Sequence, residues 1–277
     1  YNFIELNSKI YASAKDGILV SDDGITWDKL ITTSYPITEL YEYEKILFGV
    51  FGYNHLNVIY SNDYGENWKT LNTDTLKNFT RNIFSLLYHQ GSIFLATGKG
   101  IYQTKDWGKT WQLTTNKIIG NNTGNSQLVK VNETFYAKDK NKELYISTDY
   151  GKNWKHVENE NNNIRQILNI GNKLYALKYD QYIYVLNEEN KWINVFDKNL
   201  GFTACIVPFC CESFFVSSYK NYLVFNKDQY IEFPKFPNEK ELDFFQAAYI
   251  TPKFVVVSVL ENGLWYIPIK FTLDFGS

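Results

Sequence analysis

The residues able to do chemistry fall into two groups. The first is a set of four strings in which an acid, a glycine and a tryptophan keep fixed places: VSDDGITW (20–27), SNDYGENW (61–68), TKDWGKTW (104–111) and STDYGKNW (147–154). In each, an aspartate stands five residues before the tryptophan and a glycine three before it. The sets are Asp22, Gly24 and Trp27; Asp63, Gly65 and Trp68; Asp106, Gly108 and Trp111; and Asp149, Gly151 and Trp154. A D-x-G string can open a calcium loop, but such a loop needs several oxygen ligands within about 12 residues and a distal glutamate. These strings offer one regular acid and then an indole. The second group is dispersed. Asp16, Asp139, Asp180 and Glu261 could supply a glycosidase carboxylate pair, which works at a separation of about 5–10 Å. Arg81 and Arg165 are the only two guanidinium groups in the chain.

The first group suits a turn better than a metal site. An aspartate at the head of a tight turn accepts backbone N–H groups two and three residues on. The glycine takes a positive φ without steric cost. The leading Ser or Thr, replaced by Val20 in the first copy, adds a second side-chain bond. The tryptophan then opens the next strand and buries its ring under the turn or toward the next repeat.

These turns must be held by repeated strands. The four tryptophans lie 41, 43 and 43 residues apart, a period that marks a repeat architecture. Before each turn lies a pair of β-rich runs, as in KIYASAKDGILVS (9–21) and SIFLATGKGIYQT (92–104). The pairing continues without the turn motif in KLYALKYDQYIYVLN (173–187), SFFVSSYKNYLVFN (213–226) and KFVVVSVLENGLWYIP (253–268). A further run precedes each pair, such as FIEL (3–6), ITELYEY (37–43) and IRQILNI (164–170), and another starts at the tryptophan. No segment carries a convincing helical period. Four strands in each of seven units predict an all-β fold, a seven-bladed β-propeller of four-stranded antiparallel blades. It would fill residues 1–277 as one domain, with blades near 2–30, 37–71, 82–114, 126–158, 164–196, 202–233 and 244–275. The ring would close by pairing YNFIEL (1–6) with IKFTLDF (269–275) and would need no second copy.

The pattern S/T-x-D-x-G-x-x-W resembles the Asp-box, or BNR, repeat of sialidases, sortilin-type receptors, two-propeller xyloglucanases and photosystem II assembly factors. The resemblance implies a propeller and leaves function open. Sialidases of that superfamily clamp a carboxylate with three arginines, whose planar forks suit it. This chain has two arginines and no F/Y-R-I-P string, so classical sialidase activity is not expected. In the xyloglucanases the cleft lies between two propellers, and here only one is expected.

Composition narrows the rest. Hydrophobic residues make up 44% and aromatics 18%, enough for a large core, and the net charge is −2. There is no basic block, which points away from nucleic acid and anionic membranes. No apolar run approaches the roughly 18 residues of a membrane span. Cys205, Cys210 and Cys211 show no zinc spacing; buried thiols and a bridge across a hairpin both stay open. His55, His89 and His156 are scattered, so neither a metal nor a cofactor is expected. The chain has no methionine, consistent with a processed chain, and an exported or cell-surface protein that has lost a signal peptide is expected.

Turns between the second and third strands share one face with the long connections 71–82, 113–126, 157–165 and 232–244. Long polar connections raise the prior for function. Arg81, Arg165, Tyr53, Tyr179 and Tyr219, with the acids Asp16, Asp139, Asp180 and Glu261, make that face the candidate binding surface, since Arg and Tyr are common interface anchors. The expected function is a non-catalytic module that binds another protein or acts in assembly. The alternative is a glycan-binding protein or glycoside hydrolase using the same face.

Overall fold

The computed structural model describes residues 2–51, 57–77, 83–118, 127–158, 162–195, 199–200, 205–209, 213–217, 222–226, 229–233, 245–250, 254–259 and 263–268. The chain divides into two compact units, Tyr1–Asn162 and Asn163–Ser277.

The first unit holds four sheets of four strands. β1 (Phe3–Leu6), β2 (Lys9–Ala14), β3 (Gly17–Ser21) and β4 (Asp28–Thr32) form the first. β5 (Ile37–Tyr43), β6 (Ile46–Phe51), β7 (Asn57–Ser61) and β8 (Lys69–Leu71) form the second, followed by a single helical turn, α1 (Asp74–Lys77). The third consists of β9 (Ile83–His89), β10 (Ser92–Thr97), β11 (Gly100–Thr104) and β12 (Gln112–Thr115). The fourth consists of β13 (Gln127–Val131), β14 (Thr134–Lys138), β15 (Leu144–Ser147) and the two-residue β16 (Lys155–His156).

The second unit repeats the plan. β17 (Ile164–Ile170), β18 (Lys173–Lys178), β19 (Ile183–Leu186) and β20 (Trp192–Asn194) make the fifth sheet. β21 (Cys205–Phe209), β22 (Ser213–Ser217), β23 (Tyr222–Asn226) and β24 (Gln229–Phe233) make the sixth. β25 (Phe245–Ile250), β26 (Phe254–Val259) and β27 (Gly263–Pro268) make a seventh, three-stranded among the described residues. In every sheet, strands adjacent in sequence pair antiparallel. The fold is thus all-β, built of antiparallel four-stranded sheets. The segment 269–275, expected to pair with the first strand, lies outside the described residues.

Both faces of β2, β6 and β10 are buried, which explains their near-continuous apolar runs. Successive side chains point to opposite faces. In β10, Ile93 and Leu95 join Phe48, Val50 and Leu86 in the core between the second and third sheets. Phe94 and Ala96 join Leu128, Phe135 and Ala137 in the core between the third and fourth. Tyr11, Ile18, Ile37, Leu40, Leu47 and Ile59 fill the seam between the first and second sheets. Within the second unit, Leu168, Leu177, Ile183, Ile206 and Val216 do the same for the fifth and sixth.

Side chains also lace the innermost strands together. Asn2 bridges the backbone of Leu40, donating from Nδ2 to its carbonyl at 2.6 Å and accepting its N–H at 2.7 Å. Tyr43 donates its hydroxyl to Leu86 O at 3.0 Å. Ser85 Oγ accepts the Leu128 N–H at 3.1 Å, and Gln166 donates to Ile206 O at 3.1 Å.

The helical turn α1 was not expected. Asn72 Oδ1 accepts the Asp74 N–H at 3.0 Å, an N-terminal cap. Leu76 is fully buried in the seam between the second and third sheets. The turn brings that leucine inside.

Candidate functional site

Hydrogen bonding shows what each repeated turn does. Ser61 Oγ donates to Asp63 Oδ1 at 2.7 Å and accepts the Gly65 N–H at 2.8 Å. Asp63 Oδ1 accepts the Asn67 N–H at 2.9 Å and Oδ2 accepts the Asn67 side-chain amide at 2.9 Å. Thr104, Asp106, Gly108 and Thr110 repeat this arrangement, as do Ser147, Asp149, Gly151 and Asn153. The backbone N–H that the acid accepts is therefore four residues on, not two or three. The residue before the tryptophan, always Asn or Thr, is the acid's main partner. Its constancy in the sequence was the available signal. These bonds hold the Asp63 and Asp106 carboxyls down at about 2 and also lower that of Asp149.

The first turn is one residue shorter, and this corrects its reading. Ser21 fills the leading hydroxyl place, donating to Asp23 Oδ1 at 3.1 Å and accepting the Gly24 N–H at 2.7 Å. Asp23 accepts the N–H groups of Ile25 and Thr26, both at 2.8 Å. The turn acid is Asp23, lowered to about 2 by those bonds. Asp22 is exposed and lies 3.9 Å from Lys9. Counting back from Trp27 misplaced the acid because the residue between acid and glycine is absent here.

That intervening residue is an aromatic in the other three turns. Tyr64, Trp107 and Tyr150 have φ of 59°, 58° and 58°, a conformation that bulky L-residues rarely adopt. Each reaches the preceding sheet. Tyr11 donates its hydroxyl to Tyr64 O at 2.8 Å. Trp107 stacks on Tyr60 at 4.4 Å, and Tyr150 packs over His89 at 5.0 Å. The tryptophans point the same way. Trp68, Trp111 and Trp154 pack against the cores shared with the preceding sheet, whereas the sequence left them under the turn or facing the next repeat. Trp27, Trp68 and Trp154 donate Nε1–H to the carbonyl of their own turn glycine at 3.0–3.2 Å. Trp111 instead donates to Asn72 O at 2.9 Å.

The fifth sheet keeps the device with different residues. Asn187 Oδ1 accepts the N–H groups of Glu189 and Lys191 at 3.1 and 2.8 Å, with Asn190 at φ 58° before Trp192.

The candidate binding face is only partly described. Arg81, Tyr53, Tyr219 and Glu261 lie outside the described residues. Arg165, Tyr179 and Asp180 come together at one end of the fifth sheet. Arg165 is exposed on β17, and Tyr179, 45% exposed, donates its N–H to Asn163 O at 3.0 Å. Asp180 accepts the Tyr182 N–H at 3.1 Å and the Tyr184 hydroxyl at 2.7 Å. Asp16 is in the first sheet, paired with Lys29. Asp139 is in the fourth and fully buried. Its Oδ1 accepts the N–H groups of Asn141 and Glu143, both at 2.9 Å, while burial pushes its carboxyl up. Each described acid is thus engaged by its own turn or sheet.

Two lysines stand at the last position of a second strand; the sequence puts Lys138 on a solvated rim with Lys15, Lys99 and Lys220, and says nothing of Lys178. Lys138 is buried, and burial lowers it to about 8. Lys178 is also buried and lowered, with Nζ 4.3 Å above the Tyr184 ring and 5.4 Å from that of Trp192. A lysine closing an otherwise apolar run, as in KLYALK, was the signal. Among the described residues no cluster of three or more His, Cys, Asp or Glu is placed to hold a metal, and no helix is long and apolar enough to cross a membrane.

The family profile Sortilin-Vps10 (sortilin, neurotensin receptor 3) matches residues 56–194, half of the chain. The chain belongs to the Sortilin-Vps10 family. The match spans the second to fourth repeated turns and the Asn187 turn of the fifth sheet. No curated protein sequence matches the chain significantly. Solved structures similar to this Sortilin-Vps10 member are β-propellers and related proteins of low sequence identity. PorZ, an essential bacterial surface component of the type-IX secretion system of Porphyromonas gingivalis, aligns with a TM-score of 0.68 and 11% identity over 99% of this chain. This chain spans 38% of the PorZ chain. YCF48 bound to D1 peptide aligns with a TM-score of 0.66 and 14% identity, covering 97% of this chain and 90% of that one. A GH74 enzyme of Niastella koreensis aligns with a TM-score of 0.70 and 15% identity, covering 96% of this chain and 51% of the enzyme. At such identities the likeness is one of fold.

Proposed function

We propose that the chain is a protein-binding or assembly module, exported or displayed at a cell surface. In this reading its sheets close as a single seven-bladed Asp-box propeller over residues 1–277. The observation that carries the reading is membership of the Sortilin-Vps10 family. It is supported by two neighbours of like fold, one a bacterial surface component and one solved with a peptide bound. The binding face is the end that bears Arg165, Tyr179 and Asp180, with Asp16 and Asp139 on the equivalent turns and Arg81, Tyr53, Tyr219 and Glu261 completing it. A non-catalytic role fits the acids. A glycosidase acid must hand its proton to a leaving oxygen, and Asp16, Asp139 and Asp180 are committed to local partners.

The GH74 likeness favours a second reading, glycan binding or hydrolysis through the same face. One experiment separates the two. The chain and an Arg165→Ala/Tyr179→Ala variant are used to capture partners from the native host, and both are applied to a glycan array. A stoichiometric protein captured by the parent and lost in the variant supports the module. Glycan binding lost in the variant, with no protein captured, replaces it with the second reading.

A further inference from the structure

His89 ends β9 and is 6% exposed, yet polar groups from the two flanking sheets surround it. Its Nδ1 lies 3.1 Å from Lys130 Nζ and 3.5 Å from Glu44 Oε1. Its Nε2 lies 3.8 Å from Glu133 Oε2 and has no hydrogen-bond partner. Lys130 Nζ is also 3.6 Å from Glu133 Oε1, and Glu44 Oε1 accepts the Gln90 N–H at 2.9 Å. The ring is fixed edge-on against Phe135 at 5.6 Å and over Tyr150 at 5.0 Å. Tyr150 in turn is hydrogen-bonded to Glu133. Glu44 belongs to the β5–β6 turn, Lys130 and Glu133 to β13 and the turn after it, and Tyr150 to the fourth repeated turn.

The arrangement fixes the tautomer. An ammonium has only donors, so Nδ1 must accept from Lys130, and the ring proton sits on Nε2. That proton faces Glu133 beyond hydrogen-bonding range. A second proton, taken on Nδ1, would set two donors against each other. Both have an acceptor nearby: Glu133 Oε1 for the lysine and Glu44 Oε1 for the imidazole.

We propose that His89 is a proton-operated latch joining the second, third and fourth sheets. With neutral His89, Lys130 is held on the ring and the Nε2–H is unspent. On protonation, Lys130 transfers to Glu133, His89 Nδ1–H closes on Glu44, and Nε2–H closes on Glu133. The seam then exchanges one lysine contact for two carboxylate contacts that cross between sheets. Histidine is suited to this because it alone among ordinary side chains changes charge between about pH 5 and 8.

The test is nitrogen-resolved NMR of the imidazole from about pH 8 to about pH 5, with amide hydrogen exchange at Gln90 and in the β13–β14 turn. Neutral His89 should be the Nε2–H tautomer. Its protonation should coincide with a higher protection factor at the Gln90 amide, measured against the intrinsic exchange rate at each pH. Lys130→Met should shift the neutral ring toward the Nδ1–H tautomer, and His89→Phe should retain the ring packing and abolish the exchange change. A Lys130→Met protein with the parent's tautomer, or a parent whose Gln90 amide is indifferent to His89 protonation, overturns the latch. If His89→Phe does not fold, the tautomer of Lys130→Met still decides.

Discussion

Asp22 and Asp23 are adjacent acids with opposite fates, and they offer the sharpest test at the residue scale. Asp23→Ala removes the acceptor for two backbone N–H groups and should lower the melting temperature measured by circular dichroism. Asp22→Ala should leave it unchanged, because an exposed pair with Lys9 contributes little. The turn acids also set an acid limit. Asp23, Asp63 and Asp106 titrate near 2 in the folded chain against an ordinary value of 3.8. Their folded values are depressed, so their stabilisation is present above about pH 4 and is lost as the pH falls toward 2. Urea midpoints should decline across that window. Asn replacements at all three positions should flatten the decline, and an unchanged slope would remove these acids from the account. At this scale the sequence was legible where residue types repeat. It failed where one residue had been deleted from the first turn, and where the partner, Asn67 or Thr110, is too common a type to attract notice.

Elements were legible because strands packed into a core write apolar-rich runs bounded by polar turns. FIEL, ITELYEY and IRQILNI coincide with β1, β5 and β17 residue for residue. The helical turn α1 was missed because a single turn leaves no period, and its one buried residue, Leu76, looks like any loop leucine. The seams make a prediction of their own. A methyl group on Gly108 would stand 2.2 Å from Asn72 O in the preceding repeat, at φ +86°. Gly108→Ala should therefore cost about 3 kcal/mol. Gly91→Ala, at φ +79° with nothing near its Cβ, meets only backbone strain and should cost about 1 kcal/mol. Chemical denaturation of the two variants checks the difference. The outer strands are short, from two residues in β16 to five in β4. Lysines such as Lys29, Lys69 and Lys155 lie along them, which guards an open sheet edge. Lys69→Val with Lys155→Val should raise aggregation by light scattering without lowering the melting temperature.

For the whole molecule, one plan runs through six four-stranded sheets and a seventh of three strands among the described residues, whereas their closure into a ring belongs to the proposal. Closure has a measurable signature. Phe48 is fully buried in the first unit, and Phe48→Ala should destabilise it by about 4 kcal/mol. In the proposed closed ring that loss is shared, so amide exchange should accelerate in β22 and β26 of the second unit too. Parent-like exchange there would show that the two units open independently. The face proposed for binding was the least legible feature. Asp139 looked like an accessible turn acid, and only the folded backbone shows its carboxylate turned inward onto Asn141 and Glu143.

The aromatic residues Tyr64, Trp107 and Tyr150 all lean backward, onto a sheet made earlier in the sequence. As the polypeptide leaves the ribosome, each of these three turns finds its seat already built. The order of synthesis is thus written into the direction of the seams. A nascent chain can finish one junction before the next repeat exists, so little apolar surface need wait for a distant partner.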